Sequence, residues 1–116
     1  MDATVEINNS TKVIDGNITE AQLHTWKNKY GKLVKVEVEN DEGETRFAYF
    51  RKPTMATRAA VLQTSKTDEF KALEVLFKNC YLGGDEEVVQ DDDLKLSVIT
   101  AFADLTQPKA AKAKKI

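Results

Sequence analysis

The chain has 116 residues, a formal net charge of −2 and one cysteine, with 41% hydrophobic and 31% charged residues. These values fit a single soluble globular domain with a core of its own. They exclude an intramolecular disulfide, any apolar run near the roughly 20 residues that span a bilayer, and a global charge pull toward nucleic acid or anionic membrane.

The N-terminal MDATVEINNS has no basic n-region and no apolar h-region, so it does not read as a signal peptide. Together with the lone cysteine, this sets the expectation of a protein in a reducing cytoplasm, away from membranes. Thr4–Ile7 alternates and suggests a short edge strand. Asn8-Asn9-Ser10 and Asp15-Gly16-Asn17 are turn clusters, and Val13-Ile14 between them is expected to cover part of the core.

Residues 18–31 read as a helix. Thr19 and Gln22 have the spacing of a capping box. Leu23, Trp26 and Tyr30 share a face, and Gly31 is the expected stop. Residues 33–50 read as a β-hairpin. Val34, Val36 and Val38 alternate with charged residues, and Asn40-Asp41-Glu42-Gly43 is a turn of hairpin length. The return strand places Phe47 and Tyr49 on one face and Arg46, Ala48 and Phe50 on the other. Two strands are marginal in water, so helices must cover them, with residues 4–7 or 88–90 as a candidate third strand.

Pro53 ends the sheet, and Thr54 is placed to cap a helix through Ser65 with Met55, Ala59 and Leu62 along one side of it. Thr67 or Asp68 caps the next helix. In it Phe70, Leu73, Phe77 and Cys80 follow one helical period, flanked by Leu76 and Tyr81, up to a stop at Gly83-Gly84. Phe77→Ala should cost roughly 3–5 kcal/mol if that ring is buried. Residues 85–93 are expected to form a loop or a short strand around Val88-Val89. Asp91 or Asp92 caps a last helix with Leu94, Val98, Ala101, Phe102 and Leu105 as its apolar face. The whole predicts an α+β fold, a β-hairpin with room for a third strand packed against three to four α-helices. Residues 1–105 form one domain and residues 106–116, TQPKAAKAKKI, a mobile basic tail.

Candidate chemistry is sparse. His24, the only histidine, sits on the shoulder of a helix, and a nucleophile or metal site needs partners that the sequence does not pair with it. Cys80 occupies an apolar helix position near a C-terminus, which favours a core thiol over a reactive one. The acids Asp85, Glu86, Glu87, Asp91, Asp92 and Asp93 lack the central glycine of a calcium loop and read as caps and solvated side chains. Gly83-Gly84 matches no phosphate-loop pattern. No catalytic, cofactor-binding or metal residue is assigned. Arg46, Phe47, Tyr49, Phe50, Arg51 and Lys52 interleave cations and aromatics, as nucleic-acid-binding sheets do. With the lysine-rich tail they make a nucleic-acid-binding accessory module the alternative reading.

Three stretches, taken in order, resemble a family: AYFRKPT (Ala48–Thr54), LFKNCYLGGDEEV (Leu76–Val88) and DDDL (Asp91–Leu94). The pattern is similar to the tail assembly chaperones encoded by tailed phages and prophages, over roughly residues 20–105. The resemblance implies a small α+β protein without enzyme activity or cofactor. It implies binding to the tail tape measure protein, and sometimes the tail tube protein, in the host cytoplasm, and absence from the finished virion. Many such proteins have a second, frameshifted form, for which lysine codons at Lys112–Lys115 could supply the slippery run. Helix faces wider than a hairpin can cover also suggest a homo-oligomer.

Overall fold

Period-two alternation in one segment and helical periods on either side of it produce an α+β architecture. The computed structural model describes residues 11–116. The proposed strand at Thr4–Ile7 and the turn at Asn8-Asn9-Ser10 lie outside the described residues. The elements run β1 (Val13–Ile14), β2 (Ile18–Thr19), α1 (Glu20–Tyr30), β3 (Leu33–Glu39) and β4 (Thr45–Arg51). They continue with α2 (Met55–Ser65), α3 (Glu69–Cys80), β5 (Tyr81–Gly84), α4 (Glu86–Gln90) and α5 (Asp92–Leu105). Among the described residues no helix is long and apolar enough to cross a membrane. Residues 107–116 have no regular secondary structure and are exposed.

The hairpin forms where alternation places it. Val34 pairs with Phe50 and Val36 with Ala48 in an antiparallel ladder. Asn40 shapes the turn, its Oδ1 accepting from the backbone N–H groups of Glu42 at 3.1 Å and Glu44 at 2.9 Å. Asn40 is also the centre of a small charged cluster. Its Nδ2 donates to Glu87 Oε2 at 2.9 Å, and Arg46 reaches both Glu44 and Glu87 at 3.2 Å. The Asn40 hydrogen bond, then Arg46, hold the Glu44 carboxyl below its ordinary value of 4.5. A carboxyl lowered by folding stabilises the native state above its unfolded pKa and loses that contribution as pH falls through its folded pKa. Urea midpoints of the wild type should therefore drop as pH is lowered through and below 4.5. In Asn40→Ala that drop should be shallower, and an unchanged slope would remove the assignment.

Among the described residues the third strand does not come from residues 88–90. It is β5, antiparallel to β4, giving the order β3-β4-β5. Residues 88–90 are helical instead, and Val88 is fully buried in the core. The helix before them also stops earlier than Gly83-Gly84: α3 ends at Cys80 and Tyr81 is already extended. The two glycines serve close approach rather than helix termination. A Cβ on Gly84 would meet the Phe47 carbonyl oxygen and come within 2.9 Å of Ala48 Cα, and a Cβ on Gly83 would come within 2.8 Å of the Trp26 ring. Asp85 extends the pairing, its N–H donating to Phe47 O at 2.9 Å and its Oδ2 accepting from Phe47 N–H at 2.8 Å.

Both faces of the sheet are covered. On one, Val34, Val36, Ala48 and Phe50 join Leu76, Phe77 and Cys80 of α3, Val88 of α4, and Val98, Ile99 and Phe102 of α5. Phe50 stacks on Phe102 at 4.3 Å between ring centroids and meets Phe77 edge-on at 5.8 Å. Phe77 stacks in turn on Tyr81 at 4.6 Å. On the other face, Tyr49 lies 6.0 Å from Trp26 of α1 and donates its hydroxyl proton to Asp15 O at 2.7 Å. The Asp15-Gly16-Asn17 turn joins β1 to β2, with Gly16 and Asn17 at positive φ. Ile14 is half-buried, but Val13 is 58% exposed and covers little.

The caps follow the sequence closely. Thr19 and Gln22 form the capping box, and Gly31 follows α1. Thr54, Asp68 and Asp91 accept from the first free N–H groups of α2, α3 and α5. Asp91 receives two, from Asp93 at 2.9 Å and Leu94 at 3.2 Å. Asp91→Ala should lower stability by about 1 kcal/mol, measured as a shift in urea midpoint; a variant as stable as the wild type would show the cap is redundant.

Two helix faces differ from expectation, and a third is settled only by packing. In α2 the side shared by Met55, Ala59 and Leu62 is exposed, and Val61 packs against the core. Its sequence is apolar enough on both sides that its own pattern does not decide. In α3 the buried arc is centred on Ala72, Leu76 and Cys80, which leaves Phe70 roughly 120° from its centre at 100° per residue. In α5, Ile99 is buried, whereas Ala101 and Leu105 are exposed. Leu105 has the right angle but lies in the last turn, at the end of the covered helix.

Candidate functional site

The exposed apolar residues left over by this packing point to a site. Phe70 is 69% exposed on α3 and Leu96 is 41% exposed on α5. Each borders its helix's buried arc, and together they flank a groove of about 270 Å³ between α3 and α5. Leu73, Phe77 and Ile99 form its apolar lining, and Glu74, Asp92 and Lys95 supply its charges. Lys95 Nζ sits 4.8 Å from the centroid of the Phe77 ring, a cation–π contact that lays its methylene stem along apolar surface. An open groove with aromatic and aliphatic walls and a charged rim is suited to side chains from the apolar face of a helix. A larger hollow of about 380 Å³ lies beside Val34, Lys52 and Arg58, but the chain's own Leu105–Lys109 forms much of its wall. There Arg58 Nη1 donates to Thr106 O at 2.9 Å.

The residues singled out from sequence are dispersed. His24 is exposed on α1, and Cys80 is 1% exposed beneath α3. Burial pushes the Cys80 thiol above its ordinary pKa, against a smaller downward pull from Arg51 and Arg58. The acids have separate roles. Asp85 pairs with the β4 backbone, Glu87 with Asn40 and Arg46, and Asp91 caps α5. Among the described residues no group of three or more His, Cys, Asp or Glu side chains could hold a metal ion.

The aromatic strand is largely enclosed. Tyr49 is 3% and Phe50 0% exposed, which leaves neither ring face open to a base. Phe47 is half-buried with Lys35 Nζ 4.7 Å from its centroid. Lys35 is also held by Asp15 Oδ2 at 2.6 Å, a hydrogen bond that raises its pKa. Arg46 is committed to two carboxylates, which raise its pKa. Arg51 lies 4.5 Å over the Tyr30 ring, leaving Lys52 exposed.

Apart from Asp92, which the sequence offers as a helix cap, the groove gathers residues that the sequence pattern assigns to the core or does not single out. Phe70 and Phe77 fall in one apolar stripe. Glu74, Lys95, Leu96 and Ile99 carry no functional signal of their own. The available signal is an excess of apolar positions: α3 and α5 each carry more than one buried arc accommodates.

No family model matches the chain, and no curated protein matches it. Among solved structures it is similar to the uncharacterised protein rbstp2171 from Bacillus stearothermophilus, with a TM-score of 0.55 and 17% sequence identity. The match covers 80% of this chain and 99% of that one. At this identity the likeness establishes a shared fold.

Proposed function

We propose that this chain is a protein-binding chaperone of the phage or prophage tail assembly kind. In this reading it holds the tape measure protein, and in some systems the tail tube protein, during tail morphogenesis in the host cytoplasm. The observation that carries it is the open groove between α3 and α5, with Phe70 69% exposed at its edge. A long helical client awaiting assembly exposes apolar faces, and a groove of this kind shields one of them without chemistry. The sequence resemblance in Ala48–Thr54, Leu76–Val88 and Asp91–Leu94 supplies the identity of the client.

The test is co-expression with a tail tape measure protein. The client's soluble fraction should rise and the two proteins should co-purify. Phe70→Ser together with Leu96→Ser should remove both effects while the chaperone stays folded, because both side chains are partly solvated already. A client whose solubility is indifferent to this chain would overturn the proposal. Self-association, if it accompanies the activity, is assigned to the outer stripe of α2, where Met55 and Leu62 are 81% and 66% exposed. A monomer alone in sedimentation at high concentration would remove that assignment.

A further inference from the structure

The charges at the groove are unevenly satisfied. Glu74 on α3 and Asp92 on α5 both line it. Neither forms an ion pair among the described residues, where the paired carboxylates are Asp15, Glu20, Glu44 and Glu87. The one cation at the groove, Lys95, lies over the Phe77 ring. The rim therefore presents two unpaired carboxylates, one on each wall, beside a single ammonium already seated on an aromatic face.

We infer that the groove selects an amphipathic helix whose apolar face is bordered by lysine or arginine, with Glu74 and Asp92 as the residues that read those cations. This rests on the groove being the client site proposed above, and adds what kind of helix it takes. The apolar lining supplies attraction to any apolar helical face. Rim carboxylates add steering and rejection of acid-bordered helices, since charges at an interface edge act mainly on association rate, specificity and salt dependence. Exposed pairs are individually weak, so the discrimination is a sum over both walls and weakens as salt screens it.

Two fluorescent helical peptides with one leucine face test this, one bordered by lysines and the other by glutamates. Their affinities for the full chain are measured by anisotropy at low and at physiological salt. The lysine peptide should bind about tenfold tighter at low salt, roughly the 1.4 kcal/mol expected of a few rim pairs, and the gap should narrow as salt rises. Glu74→Lys with Asp92→Asn should abolish the preference. Asp92 lies in the first turn of α5, so Glu74→Lys alone, in the middle of α3, provides the variant that spares a helix terminus and should halve the preference at least. Phe70→Ser should weaken both peptides alike. Equal binding of the two peptides by the wild type overturns this inference and leaves the groove as the client site. A preference that survives both charge variants also overturns it. Binding of neither peptide overturns both readings. A wild-type dimer that Phe70→Ser dissociates would place a second copy in the groove and likewise overturn it.

Discussion

Phe50→Ala should destabilise the protein by about 3–5 kcal/mol, a large share of the roughly 5–15 kcal/mol that holds a domain folded. Phe50 is 0% exposed and touches every layer of the main core. Its ring stacks on Phe102 at 4.3 Å, and it meets Phe77 and Tyr81 edge-on at 5.8 and 5.7 Å. Removing it takes contacts from α3, β5 and α5 at once. The sheet on one side and two helices on the other limit how far the site can collapse, which puts the cost high in the range. Thermal unfolding followed by circular dichroism should show Tm lowered by more than about 10 °C. A double-mutant cycle with Phe102→Ala should return a coupling of about 0.5–1.5 kcal/mol, the part belonging to the stacked pair itself. A loss below about 1 kcal/mol in the single variant would mean that the ring is not packed as described.

The parts of this fold that were legible in the sequence are those decided by local chemistry. Thr19 and Thr54 each cap the helix expected of them, and Asp68 and Asp91 are the members of the pairs Thr67/Asp68 and Asp91/Asp92 that do so, because a cap is settled within three residues. The hairpin was legible because strict alternation at Val34 and Val36 admits one buried face and Asn40 builds its own turn. What was not legible depends on distant partners. Tyr81–Gly84 continues an apolar helix in sequence, and only the edge of β4 makes it a strand. Val88 and Val89 favour a strand by type, yet a single helical turn buries Val88 completely.

The groove was hidden by the same ambiguity. Phe70, Leu73 and Phe77 fit one stripe, and Ala72, Leu76 and Cys80 fit another about a quarter-turn away at 100° per residue. The sheet and α5 take the second stripe and share only part of the first. Phe70 is left outside, and its exposure is the feature from which the proposed function starts. Periodicity identifies how many apolar residues a helix carries. It does not say how many of them the rest of the chain will cover.

Gly84→Ala should cost about 2–6 kcal/mol, the sum of backbone strain and overpacking that each run to about 1–3 kcal/mol. Gly84 has φ +152°, a conformation that residues with a side chain rarely adopt. It also pairs directly with Ala48. The atoms that a Cβ would strike belong to the backbone of β4 at Phe47 and Ala48, and that strand is fixed by β3 on its other edge. Relief must come from β5 moving away. Such a shift would also strain the two hydrogen bonds between Asp85 and Phe47. Gly83→Ala is the informative control. Its Cβ would meet the far end of the Trp26 ring at 2.8 Å, and Trp26 is half-buried on α1, so a side chain rather than a strand backbone must give way. That variant should lose no more than about 1–2 kcal/mol. The order of the two losses, read from urea midpoints, carries the argument. Equal small losses would mean that β5 does not pack against β4 at backbone distance. If Gly84→Ala folds at all, α3 and α5 should be displaced relative to each other, because β5 and α4 form the connection between them. Its peptide affinity should then fall, whereas Gly83→Ala should bind as the wild type does.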